Sequence, residues 1–280
     1  MTITGEYRES INAANHEGGG IHDDATATKL GFRGGTVAGS IHLDLFGPLL
    51  LEAFGKDWFE TGSLSINFKN ATTSREPVRA LLDPGVGQRR AWIERDDGML
   101  VGEGTASVGM QTEPSALRAN DLGAHAAEAP RILAGIAAGD EIPTSRHHVS
   151  AKRQLDLLDR GLVTEPLDWY RGDSPWGGAV VCPQQLVHVL YGAGVAHIGP
   201  IVAKSGGGVG LFGAIELANL SGPMQLDRDY DFGGRILAVG ESPKTEYTWF
   251  EVTAADDGVP VTRLLMQLRW MKASSPLYAE

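Results

Sequence analysis

Cysteine is nearly absent. Cys182 is the single thiol in 280 residues, which excludes an intramolecular disulfide and any zinc site built on cysteines, and makes a reducing compartment the simplest setting. Basic residues are also scarce: Lys and Arg number 24 against 35 Asp and Glu, a formal net charge of −11. Such a chain has no basic footprint of the kind that holds phosphate backbones, so nucleic acid is not an expected partner. The N-terminus lacks a charged stretch leading into an apolar core, so no targeting segment is read there and a cytoplasmic location is expected. Charge is missing altogether from Val180 to Ala203, a length that could cross a bilayer. Pro183, Gln184, Gln185, His188, His197 and Pro200 interrupt that run, and polar groups are costly in hydrocarbon. A core helix is expected instead, and no membrane partner.

What is present is apolar material, at 42% of the residues, enough for two ordinary cores. The order of elements repeats. Gly34-Gly35-Thr36-Val37 leads into the apolar run Ile41 to Phe54, as Gly177-Gly178-Ala179-Val180 leads into Leu186 to Val195. The alternating stretch Ser65 to Asn70 has a counterpart in Ala214 to Asn219, and the hairpin signal Asp96-Asp97-Gly98 has one in Asp256-Asp257-Gly258. The spacing grows from 143 to 149 to 160 residues along the chain, as one unit used twice with longer loops in the second copy would require. Each unit reads as a loop, an apolar helix and several strands, an α+β pattern of one helix against an antiparallel sheet. The expected organisation is residues 1–111 as the first repeat, 112–150 as an Ala-, Gly- and Pro-rich linker, and 151–280 as the second repeat. Gly47-Pro48 should interrupt the first apolar helix.

The segment richest in chemistry runs Asn15-His16-Glu17-Gly18-Gly19-Gly20-Ile21-His22-Asp23-Asp24. A carboxylate and an imidazole on a glycine-rich loop form a candidate acid/base pair, because histidine titrates near neutrality and glycine lets backbone approach a ligand. A solvated loop with a stray histidine is the alternative from composition alone. With Gly31-Phe32 and Val37-Ala38-Gly39 behind it, the segment resembles the signature of MaoC-like (R)-specific enoyl-CoA hydratases. In that signature an Asp stands five positions before a His, with Asn and Pro between, and a second Asp two positions after it. Here Glu17, His22 and Asp24 take those places, while Gly19 and Gly20 replace the Asn-Pro pair and Ala38 stands where the family has His.

The resemblance implies a double hotdog fold, in which each repeat wraps a sheet around a central helix, and no cofactor or metal. It assigns Glu17 and His22 to the activation of water at an α,β-unsaturated thioester, and the Gly39 N–H to the thioester oxygen, where negative charge develops. Asp24 would orient the loop or cap the next helix, and Asp24, Phe32, Ala38, His42 and Asp44 are the candidates for the substrate site; His42, Asp44 and Glu52, on the central helix, are otherwise read as satisfying polar groups at a subunit contact or pocket rim. The implied partner is a small-molecule acyl substrate, a CoA or carrier-protein thioester, with homodimers of such chains compatible. In the second copy the same offset places Arg160 and Glu165 opposite Glu17 and His22, so that half is expected to be non-catalytic. Two other readings stay open: a hotdog thioesterase that directs water with Asp44 or Glu52 on the central helix, and a non-catalytic acyl-binding protein. Gly206-Gly207-Gly208-Val209-Gly210 lacks the lysine spacing of a phosphate cradle, and His147-His148 has no partners at metal-site spacing.

Overall fold

The computed structural model describes residues 1–14 and 19–279. Short strands β1 (Ile3–Thr4) and β2 (Arg8–Glu9) precede helix α1 (Asp24–Lys29), whose start is fixed by the Asp23 carboxylate accepting the Thr26 N–H at 2.8 Å. The first central helix comes in three pieces: α2 (Gly39–His42), a 3-10 turn over Leu43–Phe46, and α3 (Gly47–Phe54). Pro48 is the cause. It has no N–H to offer the Asp44 carbonyl, which instead accepts the Gly47 N–H three residues on, so the helix tightens just before the proline. Helix α4 (Asp57–Thr61) and strands β3 (Gly62–Phe68), β4 (Pro77–Leu82), β5 (Arg89–Arg95) and β6 (Leu100–Val108) complete the first unit. The second holds β7 (Glu141–Val149), α5 (Ala151–Asp159), α6 (Pro183–Lys204), β8 (Gly210–Asn219), β9 (Arg228–Glu241), β10 (Thr245–Asp256) and β11 (Val259–Met271).

All the strands join one antiparallel sheet in the order β1-β4-β5-β6-β3-β8-β11-β10-β9-β7, with β2 also paired to β4. Outward from the middle, β3-β6-β5-β4 mirrors β8-β11-β10-β9. The repeat in the sequence is therefore a repeat in space. The two halves meet through β3 and β8, paired from Ser63 opposite Ala218 to Asn67 opposite Ala214. Both central helices pack on the same side of the sheet. Leu43, Phe46 and Leu50 share one apolar core with Leu64, Ile66, Leu190, Ile198, Phe250 and Met266. Helix α6 is long and apolar enough to cross a membrane by length and composition. Here Leu186, Val187, Leu190, Gly194 and Ile198 are buried, and a Cβ on Gly194 would come 2.4 Å from the Phe250 ring.

The segment expected as a linker does more than connect. Its last part is β7, an edge strand paired with β9. Only Ile142 and Val149 of β7 are buried, so the apolar alternation that marks a strand is missing from its sequence. Upstream, Leu117 packs on the outer face of the sheet with Ala214, Tyr247, Trp249 and Leu265. Arg118 anchors it there, donating to Glu216 at 2.6 Å and to Glu251 at 2.7 Å.

The two central helices are also tied by a polar contact. Helix α6 begins at Cys182-Pro183 with no side-chain cap of its own. Asp44 supplies one from the other helix, accepting the Gln184 N–H at 3.0 Å and a second bond from the Gln184 side-chain amide. Asp44 is fully buried, and that burial pushes its pKa up to about 7 in spite of the bonds from Gln184. Asp44→Ala should lower stability by roughly 2–4 kcal/mol in urea unfolding, since it leaves buried donors unpaired and uncaps a helix. Asp44→Asn should recover part of the loss.

Candidate functional site

The loop that carries His22 is stitched to the approach to α2. The Asp24 carboxylate accepts the Gly35 N–H at 2.7 Å, the Ile21 carbonyl accepts the Thr36 N–H at 2.8 Å, and the Asn12 side-chain amide donates to the His22 carbonyl at 2.8 Å. The segments lie so close that a Cβ on Gly35 would stand 2.4 Å from the His22 oxygen, which explains the glycine. The imidazole is held through Nδ1, 2.7 Å from the Thr36 carbonyl. A carbonyl can only accept, so Nδ1 carries the hydrogen and neutral His22 keeps a basic lone pair on Nε2. Glu17, the expected partner of His22, lies outside the described residues.

Helix α2 opens beside this histidine. Ala38 occupies its N-cap and offers no side-chain acceptor, and the Gly39 N–H has no acceptor among the described residues. A Cβ on Gly39 would meet the Phe68 ring at 2.6 Å, so glycine is required for the chain to pass. His22, Phe32, Ala38 and Gly39 line one cavity of about 760 Å³. Its far wall comes from the second half: Tyr191 of α6, Gly210 to Gly213 of β8, and Leu268 and Arg269 of β11. The cavity opens where the β3–β8 ladder stops. Beyond Asn67 and Ala214 the two strands diverge, and Phe68 to Asn70 face Leu211 to Gly213 across the gap.

Three expected site residues lie elsewhere. Asp24 does not line the cavity; it orients the loop, and Asp23 is the residue that caps α1. Asp44 is turned to Gln184 at the helix contact, and Glu52 is exposed on α3. His42 does line the cavity, but it is fully buried between Thr72 Oγ1, 2.8 Å from Nε2, and Ser10 Oγ, 3.3 Å from Nδ1. Burial pushes its pKa down to about 4, so it is a neutral wall residue.

The second half has the same frame with a different filling. The bridge between Val180 and Gln225 corresponds to that between Thr36 and Thr73, which sets Cys182, before α6, opposite Ala38, before α2. Where His22 holds the Thr36 carbonyl, Gln154 donates to the Val180 carbonyl at 2.9 Å, and its oxygen accepts the Cys182 N–H at 2.9 Å. Gln154 is completely buried. It closes the position with an amide that cannot titrate near neutrality. The constant offset pointed to Glu165 because the longer second loop displaces the register.

No family model matches the chain, and no curated protein matches its sequence. Solved structures do match. A putative MaoC domain protein dehydratase from Chloroflexus aurantiacus J-10-fl superposes with a TM-score of 0.61, at 9% identity over 97% of this chain and 95% of that one. A conserved hypothetical protein from Mycobacterium tuberculosis with a double hotdog fold gives 0.55, at 12% identity over 96% and 94%. This chain is a double hotdog. A MaoC-like dehydratase gives 0.54, at 12% identity over 96% and 97%, and at such identities the likeness concerns the fold.

Within the double hotdog, the cavity residues that sequence reasoning missed include five with polar or aromatic side chains, Asn67, Lys69, Tyr191, Phe212 and Arg269. Of these five, Tyr191, Phe212 and Arg269 come from the half read as non-catalytic. The Ser65 to Asn70 motif contains Asn67 and Lys69, but nothing in its alternation marks them as pocket residues.

The burial of His42 has a pH signature. Between about pH 6.5 and 4 the unfolded chain takes up a proton that the folded chain refuses, so this residue makes stability fall as pH falls through that window. Asp44, with its pKa raised, acts in the opposite sense and loses its contribution as pH rises toward 7. Urea unfolding from pH 7 to pH 4 should show wild type losing roughly 3 kcal/mol more than His42→Gln, which keeps the hydrogen-bonding capacity without the titration.

Proposed function

We propose that the chain adds water to, or removes it from, the double bond of an α,β-unsaturated acyl thioester or a similarly activated alkene. One observation carries this reading: His22, whose Nδ1 is tied to the Thr36 carbonyl, and Gly39, whose N–H has no acceptor among the described residues, line the same cavity. In the forward direction water attacks the β-carbon while His22 Nε2 accepts its proton. The π electrons move toward the carbonyl, whose oxygen becomes enolate-like and is met by the Gly39 N–H at a helix start. Collapse of the enolate returns a proton to the α-carbon. Glu17 shares the proton work by sequence resemblance. Thr36, whose carbonyl holds the imidazole, and Asn12, whose amide holds the His22 backbone carbonyl, are positioning residues. All of these steps run on the chain's own groups. Two of the solved structures that superpose on this chain bear the name dehydratase.

The thioesterase alternative loses its proposed acids. Asp44 is engaged at the helix contact, Glu52 is exposed, and no carboxylate lines the cavity among the described residues.

Enoyl-CoAs of short, long and aromatic acyl groups, followed by loss of the enoyl absorbance, test the proposal. At least one should be hydrated, and His22→Ala should lower the rate by about 100-fold or more with an unchanged melting profile. A His22→Ala rate equal to wild type, or silence across the panel, would overturn it.

A further inference from the structure

The cavity wall has an unusual electrostatic character for so acidic a chain. Among its described lining residues there is no Asp or Glu, while Lys69 and Arg269 both contribute. Arg269 sits on the outer face of the sheet, on the side shared by Tyr247, Trp249 and Leu265, because it pairs with Tyr247 and alternates with the core residues Leu268 and Trp270. Strand β8 bulges beside it: Gln267 faces Ala214 and Leu268 faces Phe212, which leaves Gly213 as the extra residue. A Cβ on Gly213 would lie 2.3 Å from Gln267 Oε1 and 2.6 Å from Arg269 Nε, so the bulge is glycine because the arginine lies across it.

The guanidinium is fastened at one end only. Its Nε donates to Gln267 Oε1 at 2.7 Å, and its carbon stands 5.4 Å from the centre of the Tyr247 ring. The terminal nitrogens have no acceptor, and the group no carboxylate partner, among the described residues. Half-buried Arg118, Arg79 and Arg95 are paired, with Glu216 and Glu251, with Glu94, and with Glu76 and Asp97 respectively, whereas Arg89 shares the lack of a carboxylate among the described residues and spends one terminal nitrogen on the Ala53 carbonyl. Burial lowers the Arg269 pKa from its usual value, the direction expected of a desolvated cation without a counter-ion. Lys69, exposed at the end of the same ladder, adds a second positive charge across the gap.

We infer that Arg269, with Lys69 opposite, receives an anionic group of the bound ligand where the cavity passes between β3 and β8 to the outer face of the sheet. An oriented guanidinium with unused N–H donors and no competing acid fits a carboxylate or a phosphate. Either a carboxyl group on the acyl chain or a phosphate of the carrier supplies that chemistry. The inference rests on the thioester reading of the cavity but not on turnover.

Calorimetric titration with four unreactive saturated thioesters separates the cases: valeryl-CoA, glutaryl-CoA, valeryl-pantetheine and glutaryl-pantetheine, each with wild type, Arg269→Gln and Arg269→Lys. If the acyl carboxylate is the anion, Arg269→Gln weakens both glutaryl ligands at least tenfold and spares valeryl-pantetheine. If a carrier phosphate is the anion, it weakens both CoA ligands by that factor and spares both pantetheines. Arg269→Lys should retain part of the affinity in either case. The inference is overturned if Arg269→Gln changes all four affinities equally, changes none, or if wild type binds none of them. Hydratase failure is read separately: unchanged discrimination by Arg269 together with silence on every enoyl-CoA would sink the reaction and leave the anion site standing.

Discussion

The ladder between β3 and β8 is the constraint on which the rest of the molecule hangs. Five residue pairs, Ser63 with Ala218 through Asn67 with Ala214, join the halves into one sheet. Side-chain period along a strand is two, so a slip of one residue would turn Leu64, Ile66, Ile215 and Leu217 away from the helices and into solvent. The ladder must be in register for the core to close. It must also be short, because the cavity begins where pairing ends. Longer pairing would fill the opening with backbone hydrogen bonds, and shorter pairing would expose apolar surface between the repeats.

The helices depend on the same join. With the sheet continuous, α2 and α6 run close enough for Asp44 to finish the N-terminus of its neighbour. A residue that looks catalytic in the sequence, an acid on the central helix, is thus consumed in holding two helix ends together. Burial of its carboxyl is tolerated because the groups it meets are the donors a helix start leaves unpaired.

The repeat was legible because it rests on patterns that survive divergence: glycine pairs before an apolar run, alternating strands, and hairpin turns in fixed order. His22, Phe32, Ala38 and Gly39 became candidates through the resemblance to the MaoC-like signature, and all four line one cavity because a loop and the start of the following helix keep their distance along the chain. Arg269, Tyr191 and Phe212 were not candidates. They reach the cavity through the inter-repeat ladder, a contact between residues some 150 positions apart, on the order of the spacing between the copies themselves. Strand β7 escaped notice for a different reason: an edge strand with two buried side chains has no alternation to read. Asp24 orients the loop, one of the two roles expected of it, and Asp44 satisfies donors at the helix contact, but the sequence shows only that an acid is present and not which donor it meets.

Gln154 sets a limit on how this chain can respond to its ligand. With one of two equivalent positions filled by a buried amide that bonds to the backbone on both sides, the proposed reaction would use one ligand per chain. Two copies of a unit in one polypeptide would otherwise be an arrangement in which occupancy of the first position alters the second. Here the duplication has been spent on shape instead, the second half giving its helix and strand edges to the wall of the first. On that reading a sigmoidal dependence on ligand would have to arise between chains, because Gln154 occupies the place in the second half that His22 holds in the first.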